Sequence, residues 1–242
     1  MLAYNRDGDR VAVTDTVSGA ATSGRYDQAD RLIGVASGVT TSNYAYDGDG
    51  LRQGKTVTGV ATGYTWDMTQ GLPTLLQEQT GATTTRYIAG PDELPLEQVD
   101  ANGNTLYSYR DQLGSTRELG DASGRIVAAS RYDAYGNPLA KTGTASTPFG
   151  YAGAYTDGET GLQYLQARYY DPATAQFLTR DPLVSMTGQP YAYTGNNPLN
   201  ATDPAGLCDV ALPFVGHQHL IGTPAVTRAE QRHRRNQGRL ER

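Results

Sequence analysis

Aromatic residues recur through the first half of this chain at a nearly constant interval. Successive members of the series are 22, 20, 20, 21, 22 and 23 residues apart. These anchors are Tyr4, Tyr26, Tyr46, Trp66, Tyr87, Tyr109 and Tyr132. A sustained period near 20 predicts a repeat array, in which each unit buries its apolar face only against its neighbours. An ordinary β-sandwich with coincidental tyrosine spacing is the alternative.

Each repeat has the pattern of two short strands joined by a tight turn. Most anchors precede an acidic residue or asparagine, as in Tyr26-Asp27 and Tyr46-Asp47, and turn-forming residues follow. Polar and apolar residues alternate over 105–109 and 125–129, as they do in half-buried strands. The frequent glycines up to residue 160 argue against long helices. We therefore predict an all-β fold of stacked hairpins, with anchors in equivalent places.

Composition narrows the class of protein further. The chain has 17 Tyr but only 3 Phe and 1 Trp, which suits strands whose rings pack while their hydroxyls stay near water. With 38% hydrophobic and 19% charged residues, the sequence is not of the disordered class. No apolar run approaches the ~20 residues of a membrane span, and no signal peptide follows Met1. The single Cys208 excludes an internal disulfide or a cysteine-rich zinc site.

Charge divides the chain at residue 207. Residues 1–207 carry a net charge of −8, which does not favour binding of nucleic acid. Residues 208–242 carry +3. His217 and His219 in this basic tail resemble the opening of HNH-type nucleases, although further ligands would be needed for a metal site. The signals in the tail allow a helix over 225–237, but this helix would be polar all round, so a loosely ordered basic peptide is the favoured interpretation.

The repeat resembles the YD repeat, named for its Tyr-Asp pair. Four blocks near the end resemble the core segment that closes the shell of Rhs (rearrangement hotspot) and YD-repeat proteins. That family includes polymorphic bacterial toxins and the C component of ABC-type toxin complexes. The blocks are 161–172, 177–182, 191–198 and 203–207.

The resemblance implies a β-hairpin spiral that forms a hollow shell around a cargo. It divides the chain into YD repeats (1–140), an RHS repeat-associated core segment (141–207) and a variable basic tail (208–242). About seven repeats are too few to close a shell, so we expect an open fragment with a free strand edge. The implied partners are the rest of a shell or the chain's own C-terminal cargo, with an immunity or secretion partner. The implied location is secreted or cell-surface.

Asp181 and Asp203 are the candidate catalytic residues. They lie 22 residues apart, each before a proline, so a spiral of this period can place them on adjacent turns. Two carboxylates that share a site do not both ionise cheaply, so one donates a proton while the other accepts one. Arg180 adjoins the pair and can stabilise developing negative charge. The alternative is structural, since aspartate before proline is a common turn start.

The family resemblance makes this chemistry specific. Rhs-type shells cut their own chain after an Asp-Pro-x-Gly-Leu motif, which implies a scissile bond between Leu207 and Cys208 here. Gly206 would permit the unusual backbone that the cut requires. No cofactor and no metal is implied. Two other functions remain open: an inactive structural or cell-surface interaction module, and the remnant of a C-terminal nuclease toxin.

Overall fold

A computed structural model describes residues 1–69, 71–207 and 209–211 of the chain. Fourteen of the described strands form one antiparallel sheet, in which each strand pairs with its neighbours in sequence. They are β1 Leu2–Tyr4, β2 Arg10–Thr14, β3 Ala21–Tyr26, β4 Leu32–Ser37, β5 Thr40–Tyr46, β6 Arg52–Val57, β7 Val60–Asp67, β8 Thr74–Thr80, β9 Thr83–Ala89, β10 Pro95–Val99, β11 Thr105–Arg110, β12 Thr116–Asp121, β13 Ile126–Tyr132 and β14 Pro138–Gly143. This sheet of consecutive hairpins confirms the predicted all-β class.

Two smaller antiparallel sheets follow the long one. The first has four strands, β15 Tyr155–Thr156, β16 Gln163–Leu165, β17 Arg168–Asp171 and β18 Gln176–Phe177, and the second pairs β19 Ala201–Thr202 with β20 Val210–Ala211. The α-helix of the described residues is α1 Val184–Thr187, and short 3-10 turns lie at Tyr151–Gly153 and Thr194–Asn196. Met1–Leu212 form one compact unit. No helix of the described part is long and apolar enough to cross a membrane. The helix predicted over 225–237 lies outside the described residues.

The aspartate of each Tyr-Asp pair builds the turn that follows it. Asp27 Oδ1 accepts the N–H groups of Ala29 at 2.9 Å and Arg31 at 3.1 Å. Asp47 accepts those of the second and fourth residues after it in the same way, and Asn5, Asp100, Asp111, Asp121 and Asp133 repeat the pattern. These bonds satisfy turn amides that no strand partner reaches, which is why an Asp or Asn recurs at this position.

The aromatic residue of the pair ties its hairpin to the preceding one. The Tyr26 hydroxyl donates to the carbonyl of Arg10 at 2.8 Å, and the Tyr46 hydroxyl donates to that of Leu32 at 2.6 Å. Trp66 Nε1 makes the equivalent bond to the carbonyl of Arg52 at 2.7 Å. Each acceptor is the first residue of the previous returning strand. The repeating aromatic therefore supplies a nearest-neighbour contact of the kind that holds a solenoid together.

The prediction that all anchors are equivalent is wrong for Tyr87 and Tyr109. Tyr4, Tyr26, Tyr46, Trp66 and Tyr132 directly precede the Asp or Asn of the turn, where the strand register shifts. Tyr87 lies three residues before the turn at Gly90 and is 3% exposed, in the same position as the buried Tyr44 and Tyr64. Tyr109 lies two residues before its turn, so strand alternation turns it outward and leaves it 46% exposed.

The core segment packs on one face of the long sheet around a buried arginine. Arg52 is fully buried and donates to Asp157 at 2.6 Å and to the Tyr169 hydroxyl at 2.8 Å. Its guanidinium carbon lies within 5.8 Å of five tyrosine ring centroids, those of Tyr44, Tyr64, Tyr155, Tyr164 and Tyr169. Lys55 also pairs with Asp157, at 2.9 Å. Paired charge and cation–π contact compensate the desolvation of Arg52 and hold the two sheets together.

A second ion pair fastens the other end of the core segment. Arg10, in the first hairpin, pairs with Asp171 Oδ2 at 2.6 Å and donates to the Thr174 hydroxyl at 2.7 Å. The amide of Asn137 donates to the carbonyl of Pro172 at 2.9 Å. These contacts join residues from both ends of the long sheet to one turn of the core segment. They set the position of β17, the strand that begins with Arg168.

Candidate functional site

Asp203 lies in a loop whose two ends are paired. β19 and β20 form an antiparallel pair, Ala201 with Ala211 and Thr202 with Val210, so the segment between them closes on itself. Asp203 is 2% exposed, and its Oδ1 accepts the N–H of Leu207 at 2.9 Å. The predicted carboxylate and the residue at the predicted cleavage point are thus directly bonded. Cys208, the other side of that bond, lies outside the described residues.

Arg168 connects Asp203 to the backbone beside Leu207. Its Nε donates to the carbonyl of Gly206 at 2.5 Å, and its Nη2 lies 3.5 Å from Asp203 Oδ2. The guanidinium carbon sits 3.6 Å from the centroid of the Phe177 ring, which fixes the plane of the group. Nη1 is buried and has no hydrogen-bond partner among the described residues. The site therefore has a donor available for an oxygen that becomes negatively charged.

Asp181 is also buried, at 5% exposed, and is held at the start of a turn. Its Oδ1 accepts the N–H of Leu183 at 2.7 Å, and its Oδ2 accepts the Thr187 hydroxyl at 2.9 Å. The bond from Leu183 is the one that an aspartate makes at the start of a turn, as in the structural alternative. The negative charge of Asp181 nevertheless acts on Arg168.

Three carboxylates act on the one arginine. Burial lowers the pKa of Arg168, and the charges of Asp181, Asp203 and Asp209 oppose that shift. Desolvation raises the pKa of Asp209; Arg168 opposes this shift, while the negative charge of Asp181 adds to it. Asp209 lies two residues beyond Leu207. The predicted cut therefore lies in a segment with carboxylates on both of its sides and one guanidinium among them.

The structure brings Asp181 and Asp203 to Arg168 and leaves Arg180 elsewhere. Arg180 is exposed, and its side chain lies against the turn at Gly8. The neighbour of Asp181 in sequence is therefore placed against a different part of the fold. Arg168 is not among the candidate residues that the sequence indicates. Arg168, Tyr169 and Tyr170 of β17 are all buried, so strand alternation gives no sequence signal for the direction of Arg168.

Gly206 fits a place that no other residue can occupy without rearrangement. Its φ is +67°, and a Cβ there would lie 2.7 Å from the carbonyl oxygen of Leu165 and 3.0 Å from the amide nitrogen of Arg168. Both the left-handed backbone and the close approach favour glycine. The result is that the Gly206 carbonyl reaches the guanidinium of Arg168 and Leu207 turns back toward Asp203.

One group of carboxylates in the described part of the chain is compact enough to hold a cation. Ligand oxygens of Asp7, Asp9 and Asp30 lie within 4.8 Å of one another. Desolvation raises the pKa of the buried Asp9, the charges of Asp30 and Asp7 add to that shift, and a hydrogen bond from Asn5 opposes it. These residues belong to the turns of the first two hairpins and are separate from the set around Arg168.

The profile of the teneurin YD-shell family matches residues 64–199, more than half of the chain. The fold agrees with this match: a long sheet of consecutive hairpins is followed by a core segment that ends in the Asp203 turn. The chain belongs to the YD-shell family and is a piece of such a shell.

Its relatives are much longer proteins. The tRNA nuclease WapA of Bacillus subtilis is 32% identical over 216 residues, which cover 85% of this chain and 9% of the relative. The toxin protein Tse5 of Pseudomonas aeruginosa is 32% identical over 124 residues, 50% of this chain and 9% of the relative. The Tc holotoxin pore of Photorhabdus luminescens shares the fold, with a TM-score of 0.65 at 19% identity over 90% of this chain and 11% of that one. The chain spans about a tenth of the length of these relatives.

Proposed function

We propose that this chain is the end of a toxin-encapsulating YD shell that cuts itself once, between Leu207 and Cys208. The observation that carries the proposal is that Asp203 and Arg168, both buried, bond directly to the Gly206–Leu207 segment. This is a contact of two charged groups with a turn that only glycine can complete. Attack is intramolecular, so the fold supplies the positioning that a separate enzyme would obtain by binding a substrate.

The reaction is a hydrolysis with two carboxyl groups. A water oxygen attacks the carbonyl carbon of Leu207 and loses a proton to the ionised carboxylate of the Asp181 and Asp203 pair. The protonated partner donates to the carbonyl oxygen, and the Arg168 guanidinium stabilises the charge there. Collapse breaks the carbon–nitrogen bond, the proton passes to the nitrogen of Cys208, and the products are a carboxylate at Leu207 and an amine at Cys208. No metal or cofactor enters these steps.

Purified protein at neutral pH tests the cut. Intact mass should give two pieces that divide after Leu207, and the new N-terminal cysteine should react with a cyanobenzothiazole dye. Cys208 is the only cysteine in the chain, so the condensation reports this cut and no other. Acid breakage at Asp-Pro bonds would instead leave Pro172, Pro182 or Pro204 at the new N-terminus, which carries no thiol.

Matched variants separate the residues of the site. Asp203→Asn and Asp181→Asn should abolish cleavage, because an amide neither accepts nor supplies the proton. Asp121→Asn is the control, since Asp121 lies in a repeat turn and pairs with the largely exposed Arg125. Arg168→Ala should slow the cut by about 10²-fold or more, as loss of a charge-stabilising donor does. Arg180→Ala, the change that the sequence alone would favour, should leave the rate within about threefold of the wild type.

An inactive shell module is the second candidate, and one observation favours it. Both oxygens of Asp181 already accept hydrogen bonds within its own turn. If Asp181 is only a turn residue, the wild-type chain stays in one piece and the dye does not react. Recovery of full-length protein alone would overturn self-cleavage for this chain and leave the structural function.

A further inference from the structure

The last strand of the long sheet has an open edge. β14 pairs with β13 on one side, and no described strand pairs with it on the other. All of its six residues are exposed. An edge of this kind presents unpaired backbone N–H and C=O groups, which can accept another extended strand. Pro138 and Lys141 lie along it, and residues of these types prevent an edge from pairing indiscriminately.

A cavity of about 770 Å³ opens beside this edge, between the long sheet and the core segment. Pro138, Ala140 and Lys141 of β14 line it on one side, and Gln163 of β16 lines it on another. Gln98 of β10 contributes a second amide side chain. The volume falls within the range of cavities that bind small ligands or short peptide segments.

The side-chain oxygens of the two glutamines receive no hydrogen bond from the described residues. Gln163 is 2% exposed, and its Oε1 is buried with no hydrogen-bond partner among the described residues. Gln98 Oε1 is likewise buried with no hydrogen-bond partner among the described residues, whereas the Nε2 of Gln98 donates to the carbonyl of Ser146 at 3.2 Å. That bond sets the orientation of the Gln98 amide, so its oxygen is the atom left over. Buried acceptors favour a ligand that brings N–H or O–H groups.

We propose that β14 and this cavity form one binding site for an extended polypeptide strand. The strand pairs its backbone with the free edge of β14, and alternate side chains point into the cavity, as in recognition by strand addition. One of those side chains carries a hydrogen-bond donor for the glutamine oxygens. Another is an aspartate or glutamate near Lys141, because opposite charges across neighbouring strands stabilise the pair. The site is independent of the proposed self-cleavage.

Selection from random sequences tests the site without knowledge of the natural partner. The full chain, immobilised, is exposed to a phage library of random peptides of about ten residues, the upper length of an ordinary strand. Enriched peptides should carry an acidic residue and a donor-bearing residue separated by an even number of positions. A synthetic copy of the best one should protect the amides of β14 from hydrogen exchange. An absence of enrichment, or a peptide that protects no β14 amide, overturns the proposal.

Two variants address the two parts of the site separately. Lys141→Glu changes only the exposed edge, and Gln163→Leu removes the buried acceptor at similar volume. Each should weaken binding of the selected peptide by about tenfold, measured by fluorescence anisotropy. The controls are Arg6→Glu in the exposed turn of the first hairpin and Gln79→Leu on β8, which should leave affinity within about twofold. Equal affinity for all four variants overturns the site.

Other occupants would appear as different results. If the wild-type chain dimerises at micromolar concentration and Lys141→Glu abolishes this, the edge pairs with a second copy. If the peptide binds only after residues 212–242 are removed, the chain's own tail is the occupant. Either result replaces the polypeptide partner that we propose.

Discussion

Aspartates in the repeats and in the core segment of this protein have different partners. In the repeats they bond to amides of their own turn: Asp47 accepts the N–H groups of Asp49 and Leu51. In the core segment two of them pair with arginines remote in sequence, Asp157 with Arg52 across 105 residues and Asp171 with Arg10 across 161. One region thus uses the carboxylate to shape the chain locally, and the other uses it to join parts of the fold.

The difference separates two sources of stability. A turn that satisfies its own amides forms in any copy of the repeat, so many small and nearly equal contributions add along the sheet. A buried ion pair is costly unless both partners are present, so its loss is large and concentrated at one place. The candidate cleavage site depends on the second kind of contact, because Arg168 and Asp203 also form a buried long-range pair.

The largest expected effect is at the buried arginine. Arg52→Met should lower the free energy of unfolding by about 3–5 kcal/mol, because Asp157 then keeps only Lys55 as a partner in a buried site. Urea unfolding followed by tyrosine fluorescence measures it. Arg125→Met is the matched control in a repeat turn, where the pair with Asp121 is largely exposed and should matter by less than about 0.5 kcal/mol. Similar losses for both would remove the distinction between the two regions.

A repeat turn should respond more weakly. Asp47→Ala removes the acceptor of two backbone amides and should cost about 1 kcal/mol, as the loss of a comparable helix cap does. Asp47→Asn should cost much less, because Asn5 holds the first turn with the same bonds. Thermal melts of the two variants provide the measurement. An Asn variant as unstable as the Ala variant would mean that charge, and not the hydrogen bonds, holds the turn.

Two anchor tyrosines test whether the role of an anchor follows from its spacing in the sequence or from its distance to the turn. Tyr46→Phe removes the bond from the hydroxyl to the Leu32 carbonyl and should cost about 1 kcal/mol. Tyr109→Phe, at an anchor of the same sequence series, should change stability by less than about 0.5 kcal/mol because Tyr109 is exposed. Chemical denaturation of both variants decides between the two explanations. If the effects were equal, the sequence period alone would predict the role of a tyrosine.

The smallest effect should come from acid titration of a single turn. A hydrogen bond from Ser123, supported by amides of the same turn, lowers the pKa of Asp121 from 3.8 to about 2. A carboxyl with a lowered pKa stabilises the fold above pH 3.8, and this contribution is lost as the pH falls toward 2. An NMR titration should give a midpoint near 2 for Asp121 and one above 3.8 for Asp209, just beyond the core segment. Ser123→Ala should move the Asp121 midpoint upward; no movement would contradict the assigned cause.

Prediction from the sequence succeeded where a contact lies within one hairpin. The Tyr-Asp pair determines the turn, the end of the strand and the bond to the preceding hairpin, because all of these partners lie within about twenty residues of one another. It failed at Tyr87 and Tyr109, where the spacing is preserved but the distance to the turn is not. Since strand side chains alternate, a shift of one residue moves a ring from one face of the sheet to the other.

The all-β class and the hairpin array were determined by the sequence alone, because period and motif are properties of neighbouring residues. Which arginine lies beside Gly206 and Asp203 was decided only by the tertiary structure. Arg180 adjoins Asp181 along the chain but its side chain lies against the turn at Gly8, whereas Arg168 reaches Gly206 and Asp203 through the packing of β17 against the last turn. The folded backbone determines which way a side chain points and which distant segments come into contact. Proximity in sequence does not determine either.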